Sequence, residues 1–266
     1  MSADHSPTAG AGAGVRVRVL GIGFDRLTLQ QFADRIQEFV VAGTPRLVVT
    51  PNPEIVYMAQ FDRDLREVLL QADLVTPDGT GIVWATGRVG QPVPERVTGI
   101  ELAEEVMRRA AAQGRGLYLL GARPGVAEEA AARLQLRFSG LKIVGTHHGY
   151  FGPDQEAAVL QAIRAARPDL LFVGLGAPRQ EKWMAAHRQE LGVPVSIGLG
   201  GCFDVWAGRV PRAPRIFQRL RLEWLYRLGK EPRRFWRMLA LPKFVLAVRR
   251  RGSLPLSEPT RPNPPG

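Results

Sequence analysis

The sequence predicts an α/β protein: a layered parallel sheet carrying a basic, amphipathic helical appendage at its C-terminal end. Three observations lead there. From Leu47 to Gly81, and again from Gly116 to Gly201, short apolar runs alternate with segments of helical period, the pattern of strand–helix–strand units around a parallel sheet. Several of these runs end in polar or glycine-rich turns, where open α/β sheets bind ligands. The excess positive charge is also confined to one place. Residues 207–251 hold 14 Lys/Arg and 2 Asp/Glu, whereas residues 1–206 hold 21 and 22.

A chain of 266 residues, 45% hydrophobic and 23% charged, has the balance of a soluble globular protein able to bury a substantial core. One cysteine, Cys202, excludes an intramolecular disulfide and a thiolate zinc cage, and fits a reducing compartment. Residues 1–14 are small, polar and Gly/Ala-rich without the apolar stretch of a signal peptide, so a disordered N-terminal tail is expected. The Pro-rich residues 252–266 are expected to be disordered as well. Between them lie a core over 15–208 and the basic appendage over 209–251. The net charge of +11 places an anionic partner on that appendage rather than over the whole body.

Taken in order, Val15 to Ile22 alternates and ends at glycine, which suits a first strand, with Leu27 to Val41 as its helix. Leu47 to Val49 is a short apolar strand stopped by Pro51, which cannot donate to a ladder. Asn52-Pro53-Glu54 then has the form of an N-cap with proline in the first turn, and Ile55, Met58, Ala59, Asp62 and Leu65 follow at helical spacing. Leu74-Val75 restarts a strand that Pro77-Asp78-Gly79 turns into a short helix over Thr80 to Thr86. A loop through Arg96 reaches Thr98-Gly99-Ile100-Glu101, which has capping-box spacing and opens a helix to about Gln113. Strands follow at Gly116–Leu120, Lys142–Gly145, Asp169–Val173 and Val193–Leu199, separated by helices to Phe138, over Pro153–Ala166 and over Pro178–Leu191. The layered sheet is Rossmann-like.

Two turns, at Thr50-Pro51-Asn52 and at Asp78, thus end strands of one α/β unit, and Thr50, Asn52 and Asp78 are expected to face one cleft. Alone, Asn52 is a sound helix start in any protein and Pro-Asp-Gly a common turn. Together, with Arg96 following, they place a carboxylate beside an arginine and a helix N-terminus, able to deprotonate a hydroxyl while cations hold a leaving phosphate. Gly121-Ala122-Arg123-Pro124-Gly125 either approaches a diphosphate or packs the chain tightly. Gly174-Leu175-Gly176 leads into Arg179 and Gln180 at a helix start, and Gln180 either bonds a uracil or sugar or is a first-turn surface residue. Asp204 follows a Gly-Gly turn, where it caps structure or touches a ligand. His147-His148 has no metal-ligand companions at a suitable spacing.

In the appendage, Ile216, Phe217, Leu220, Trp224, Leu225 and Leu228 share a helical stripe flanked by arginines. Pro232 to Arg251 carries Phe235, Trp236, Leu239, Phe244 and Val248. Its apolar run is too short to span a bilayer. Such a helix lies on a membrane surface or packs its stripe on a core, and the lopsided charge favours an anionic surface.

Thr-Pro-Asn-Pro-Glu, Asp-Gly-x-Gly, Glu-Arg-Val-Thr-Gly, Gly-x-Gly-x-Pro-Arg-Gln-Glu-Lys-Trp and Gly-Gly-x-Phe-Asp occur in this order. The set resembles the WecG/TagA/CpsF glycosyltransferase family, which includes the N-acetylmannosaminyltransferases of wall teichoic acid and enterobacterial common antigen synthesis. The resemblance covers roughly Val19 to Met238. It implies inverting transfer of N-acetylmannosamine from a UDP donor to polyprenyl-diphosphate-linked N-acetylglucosamine, with no metal or other cofactor, on the inner face of the plasma membrane. Carried over by motif, Asp78 is the general base and Arg96 helps hold the diphosphate. Thr50 and Asn52 line the donor-sugar pocket, and Gln180, with Arg179 and Asp204 nearby, contacts the nucleotide sugar. Arg227, Arg234 and Arg237 in the appendage close over the site beside the membrane. A homo-oligomer is plausible on the same ground. Pro77 and Thr80 depart from the small or aliphatic residues expected around Asp-Gly, which puts the donor sugar in question.

Two rivals stand beside this reading. One keeps the chemistry with another donor: UDP-glucose, UDP-galactose or a UDP-mannosaminuronic acid. The other is a non-enzymatic nucleic-acid-binding module using the basic segment; no nucleic-acid fold signature is present, and its arginines are interleaved with bulky apolar residues.

Overall fold

The structure, a computed structural model, describes residues 16–211 and 240–251. It opens differently from the expectation of one long first strand. β1 (Arg16–Val19) and β2 (Ile22–Asp25) form an antiparallel hairpin outside the main sheet. Leu20 and Gly21 turn it, with φ of 50° and 85°, and a two-residue hairpin needs positive φ at both central positions. The sequence reading carried one strand on through Leu20 and Gly21, although the strict alternation of Val15 to Val19 stops there.

α1 (Leu29–Ala42) follows, with Thr28 and Gln31 completing a capping box. β3 (Arg46–Val49) enters the main sheet. The helical stretch expected next is two helices, α2 (Pro53–Met58) and α3 (Arg63–Gln71), because Asp62 starts a new helix, its side chain capping the second through Leu65 N. β4 (Leu74–Val75) leads to α4 (Thr80–Arg88), which runs past Thr86, and to α5 (Gly99–Gln113). Then come β5 (Gly116–Gly121), α6 (Val126–Arg137), β6 (Lys142–His147) and α7 (Pro153–Ala166). β7 (Leu170–Gly174), α8 (Arg179–Leu191), β8 (Val195–Gly198) and α9 (Cys202–Trp206) complete the body, and α10 (Ala240–Arg251) is the last described helix.

The main sheet runs β4-β3-β8-β7-β5-β6, and every neighbouring pair is parallel. Helices cover both faces, as a parallel sheet requires. Phe32, Leu102, Val126 and Phe203 bring α1, α5, α6 and α9 onto one core with Val48 and Phe172. On the other face Ile55, Leu65, Ile82, Ile163 and Met184 bring α2, α3, α4, α7 and α8 together with Val49 and Val173. The hairpin closes the short β4 edge with side chains: Asp25 accepts from Val75 N at 2.8 Å, and Arg16 donates to Asp25 and to the carbonyls of Ala72 and Asp73. An edge strand covered this way is withdrawn from further pairing.

Two features of this layout set up the site. β3 and β8 are neighbours, yet the helix after β3 goes to one face and the helix after β8 to the other. That divergence is the topological switch point, at whose carboxyl ends open α/β sheets form ligand crevices. Second, α10 lies against α2 and α4, with Phe244 fully buried and Val248 3% exposed in the same core. These two members of the expected membrane stripe are therefore packed on the body, while Leu246 remains 48% exposed. Arg227, Arg234 and Arg237 lie outside the described residues.

Candidate active site

The first turn at the crevice follows β3. Thr50 is nearly buried, and its hydroxyl donates to the Gly198 carbonyl at 2.8 Å, joining the ends of β3 and β8. Asn52 caps α2, its Oδ1 accepting from Ile55 N at 3.0 Å, and Pro53 occupies the first turn. Capping thus engages that oxygen.

The second turn follows β4. Gly79, at φ 89°, starts α4 immediately beyond Asp78. A methyl group on Gly81 would lie 2.6 Å from Pro53 Cγ, and one on Gly79 would lie 3.4 Å from Pro53 Cδ. The two turns therefore touch, and glycine is what lets them. Both strands ending at one level, as the sequence suggests, would not by itself have required that contact.

A third element completes the arrangement. Asp78 Oδ2 accepts from Gly99 N, the first helical residue of α5, at 3.1 Å. Thr98 caps this helix, and Glu101 returns the capping-box bond. The carboxylate thus sits at the N-terminus of α5, where backbone N–H groups without intrahelical partners are found. A side chain at position 99 would press on the neighbouring turn, since a methyl there would lie 3.2 Å from Thr50 Oγ1. Arg96 sits in the loop entering α5, 3.7 Å from Glu101. Thr50, Asn52, Asp78 and Arg96 thus come from three separate loops to adjoining positions around α2 and the α5 N-terminus.

On the β7 side, a methyl on Gly121 would lie 2.6 Å from the Gly174 backbone, so the Gly121–Gly125 turn packs tightly against the β7 end. Arg179 ties α8 to the loop after β6. It donates to the carbonyls of Gly149 at 2.9 Å and Phe151 at 3.1 Å, with its guanidinium 4.9 Å above the Phe151 ring. Gln180 is buried rather than on the surface, 3% exposed. Its Oε1 accepts from Gly200 N at 2.9 Å and its Nε2 donates to Glu181 Oε1 at 2.8 Å. Asp204 lies in the first turn of α9, and its carbonyl accepts from Arg209 N and Val210 N.

His147 ends β6, and its Nδ1 lies 2.7 Å from the His148 carbonyl. Among the described residues no three His, Cys, Asp or Glu side chains are grouped to hold a metal ion, and no helix is long and apolar enough to cross a membrane. Cys202 is buried. A hollow of about 350 Å³ between α5, α6 and α9, lined by Arg133, Arg137 and Trp206 among others, contains none of the residues singled out by motif.

Two participants were not legible as such. The Gly99 N–H is a backbone donor whose use depends on where α5 begins in space. Glu181 stood within the Pro-Arg-Gln-Glu motif but had no assigned role. It is 1% exposed, and burial raises its carboxyl pKa well above the ordinary range. Unfolding returns the group to an ordinary carboxylate, so the unfolded chain releases this proton at lower pH than the folded one. The folded state therefore loses stability as pH rises from the ordinary carboxylate range toward the raised value. Glu181→Gln removes this component, so its stability relative to wild type should climb with pH over that interval in denaturant titrations. Parallel pH profiles for the two proteins would refute the assignment.

Comparison with known sequences gives the class: the chain is a glycosyltransferase. More narrowly, it belongs to the glycosyl transferase WecG/TagA/CpsF family, whose sequence profile matches residues 17–256. Proteins of Staphylococcus aureus strains MW2, COL and MRSA252 are each 36% identical to it over 232 residues, which is 86% of this chain and 91% of theirs. Those relatives are named N-acetylglucosaminyldiphosphoundecaprenol N-acetyl-beta-D-mannosaminyltransferase.

Proposed function

We propose that this chain transfers N-acetylmannosamine from its UDP donor to polyprenyl-diphosphate-linked N-acetylglucosamine, with inversion and without a metal, in cell-envelope polysaccharide assembly. The observation that carries the reading is the Asp78 carboxylate, set against the Asn52-Pro53 turn and bonded to the first N–H of α5. In this mechanism Asp78 takes the proton of the acceptor's 4-hydroxyl as that oxygen attacks the anomeric carbon from the face opposite UDP. The bond from that carbon to the diphosphate oxygen breaks, and UDP leaves with the electron pair. Thr50 and Asn52 line the donor-sugar side, with Arg179 and Asp204 further along the strand ends. Arg96 offsets diphosphate charge, joined by Arg227, Arg234 and Arg237 from outside the described residues. Arginine forks match phosphate oxygens and serve here in place of a metal.

The acceptor's lipid calls for a membrane surface, and the positive charge of residues 207–251 supports peripheral binding to an anionic cytoplasmic leaflet. The test is UDP release from a panel of UDP-sugars in chelator, with and without a prenyl-diphosphate N-acetylglucosamine and anionic vesicles. Acceptor-dependent release from UDP-N-acetylmannosamine alone is expected, with salt-sensitive co-sedimentation of the protein. Release from a different donor would correct the sugar. Acceptor-independent hydrolysis, or none, would overturn the transfer reaction, and equal sedimentation with neutral vesicles would overturn the charge-driven surface.

A further inference from the structure

The Gln180 amide is engaged at both ends inside the protein. Gly200 N can only donate, so it selects Oε1, and this orients the amide's NH₂ toward Glu181. The same side chain lies flush against the end of β8: a methyl on Gly198 would lie 3.0 Å from Gln180 Nε2 and 2.9 Å from Met184 Cε. Gly198 in turn receives the Thr50 hydroxyl at 2.8 Å. Thr50 borders Gly99, and Gly99 N holds Asp78. A continuous run of short contacts therefore leads from Glu181 through Gln180 and the 198–200 turn to Thr50 and the Asp78 carboxylate.

Glu181 closes this run at its inner end. Its Oε1 accepts from Gln180, while Oε2 is buried with no hydrogen-bond partner among the described residues. An unpartnered polar atom at full burial costs stability and is retained where something else requires the group. The position suits a group acting as a neutral acceptor rather than as an anion, since no cation among the described residues is bonded to it and the direction of its pKa shift, caused by burial, agrees.

We propose that Glu181 is a positioning residue for the transfer reaction: it holds the Gln180 amide, which fixes the 198–200 turn and through it the Thr50 hydroxyl at the donor-sugar pocket. This rests on the reading of Thr50 given above. Gln180 then serves the nucleotide sugar through the turn it braces rather than by offering its amide to the ligand.

Two variants of the full-length chain test it. Glu181→Gln keeps an acceptor oxygen at the same reach. Glu181→Met keeps the length and removes it. Three quantities are read: thermal unfolding, hydrogen exchange of the Gly200 amide by NMR, and the donor KM and kcat in acceptor-dependent UDP release. The Met variant is expected to unfold within a few degrees of wild type, yet to exchange Gly200 about tenfold faster and to show a donor KM raised about tenfold, the scale of one lost hydrogen bond. The Gln variant is expected to restore wild-type exchange and KM. Unchanged exchange or unchanged KM in the Met variant would overturn the proposal. So would a stable Gln variant that has lost transfer, because an ionised carboxylate would then be required, and this arm holds even if the Met variant does not fold. If wild type turns over no donor, the functional reading fails and the catalytic half of this proposal with it. The exchange measurement still decides whether Glu181 braces the turn.

Discussion

Asp78→Asn is expected to lower acceptor-dependent transfer by about 10²–10⁴-fold, the usual worth of a positioned general base, while UDP binding and thermal stability stay near wild type. The substitution is chosen for what it preserves. Asparagine retains an oxygen that can accept from Gly99 N, as Asp78 Oδ2 does at 3.1 Å. The contact between the Asp78 and Asn52 turns depends on Gly79, Gly81 and Pro53 rather than on the carboxylate. What disappears is the capacity to accept a proton. Single-turnover transfer measured beside UDP calorimetry separates the two effects. Wild-type turnover would remove Asp78 from the chemistry, and lost UDP affinity together with lost transfer would point to a collapsed turn instead.

Phe244→Ala should produce the largest loss of stability among single changes in α10. Phe244 is fully buried against α2 and α4, and its ring lies close to Gly81, where a methyl would come within 3.8 Å of it. Truncating a buried phenylalanine costs about 3–5 kcal/mol, which in a chain of this size lowers the melting temperature by about 10 °C. Anionic-vesicle binding should be far less affected, because this ring faces the core and the basic side chains remain. An unchanged melting curve combined with lost vesicle binding would reverse that assignment and give Phe244 to the lipid. The same packing bears on truncation experiments. Removing everything after Pro211 takes Phe244 and Val248 out of the core along with the arginines, so charge substitutions isolate the membrane contribution more cleanly.

Much of the fold was readable along the chain because its signals are local. Capping boxes at Thr98 and the N-cap at Asn52 mark helix starts by hydrogen bonds within three residues, and both are present. The short apolar runs at Leu47–Val49 and Leu170–Val173 read as buried strands from their length and the turns bounding them. The misreadings occurred where local pattern is ambiguous. Apolar residues continue on both sides of the Leu20-Gly21 turn, and helical spacing continued through Asp62 although that residue caps a new helix.

The site divides the same way. Sequence alone determined the candidate residues, the α/β layering, and the confinement of positive charge to one segment, because residue type, period and charge are properties of the chain. Only the tertiary structure decided that β8 inserts beside β3, that Gln180 is buried under the 198–200 turn, that Gly99 lends its N–H to Asp78, and that Phe244 faces inward. Each of these joins residues distant in sequence. Thr50 and Gly198, for example, are 148 positions apart. Such pairings are fixed by how helices distribute over the two faces of the sheet and by which glycines let backbones approach, and no local pattern encodes that choice.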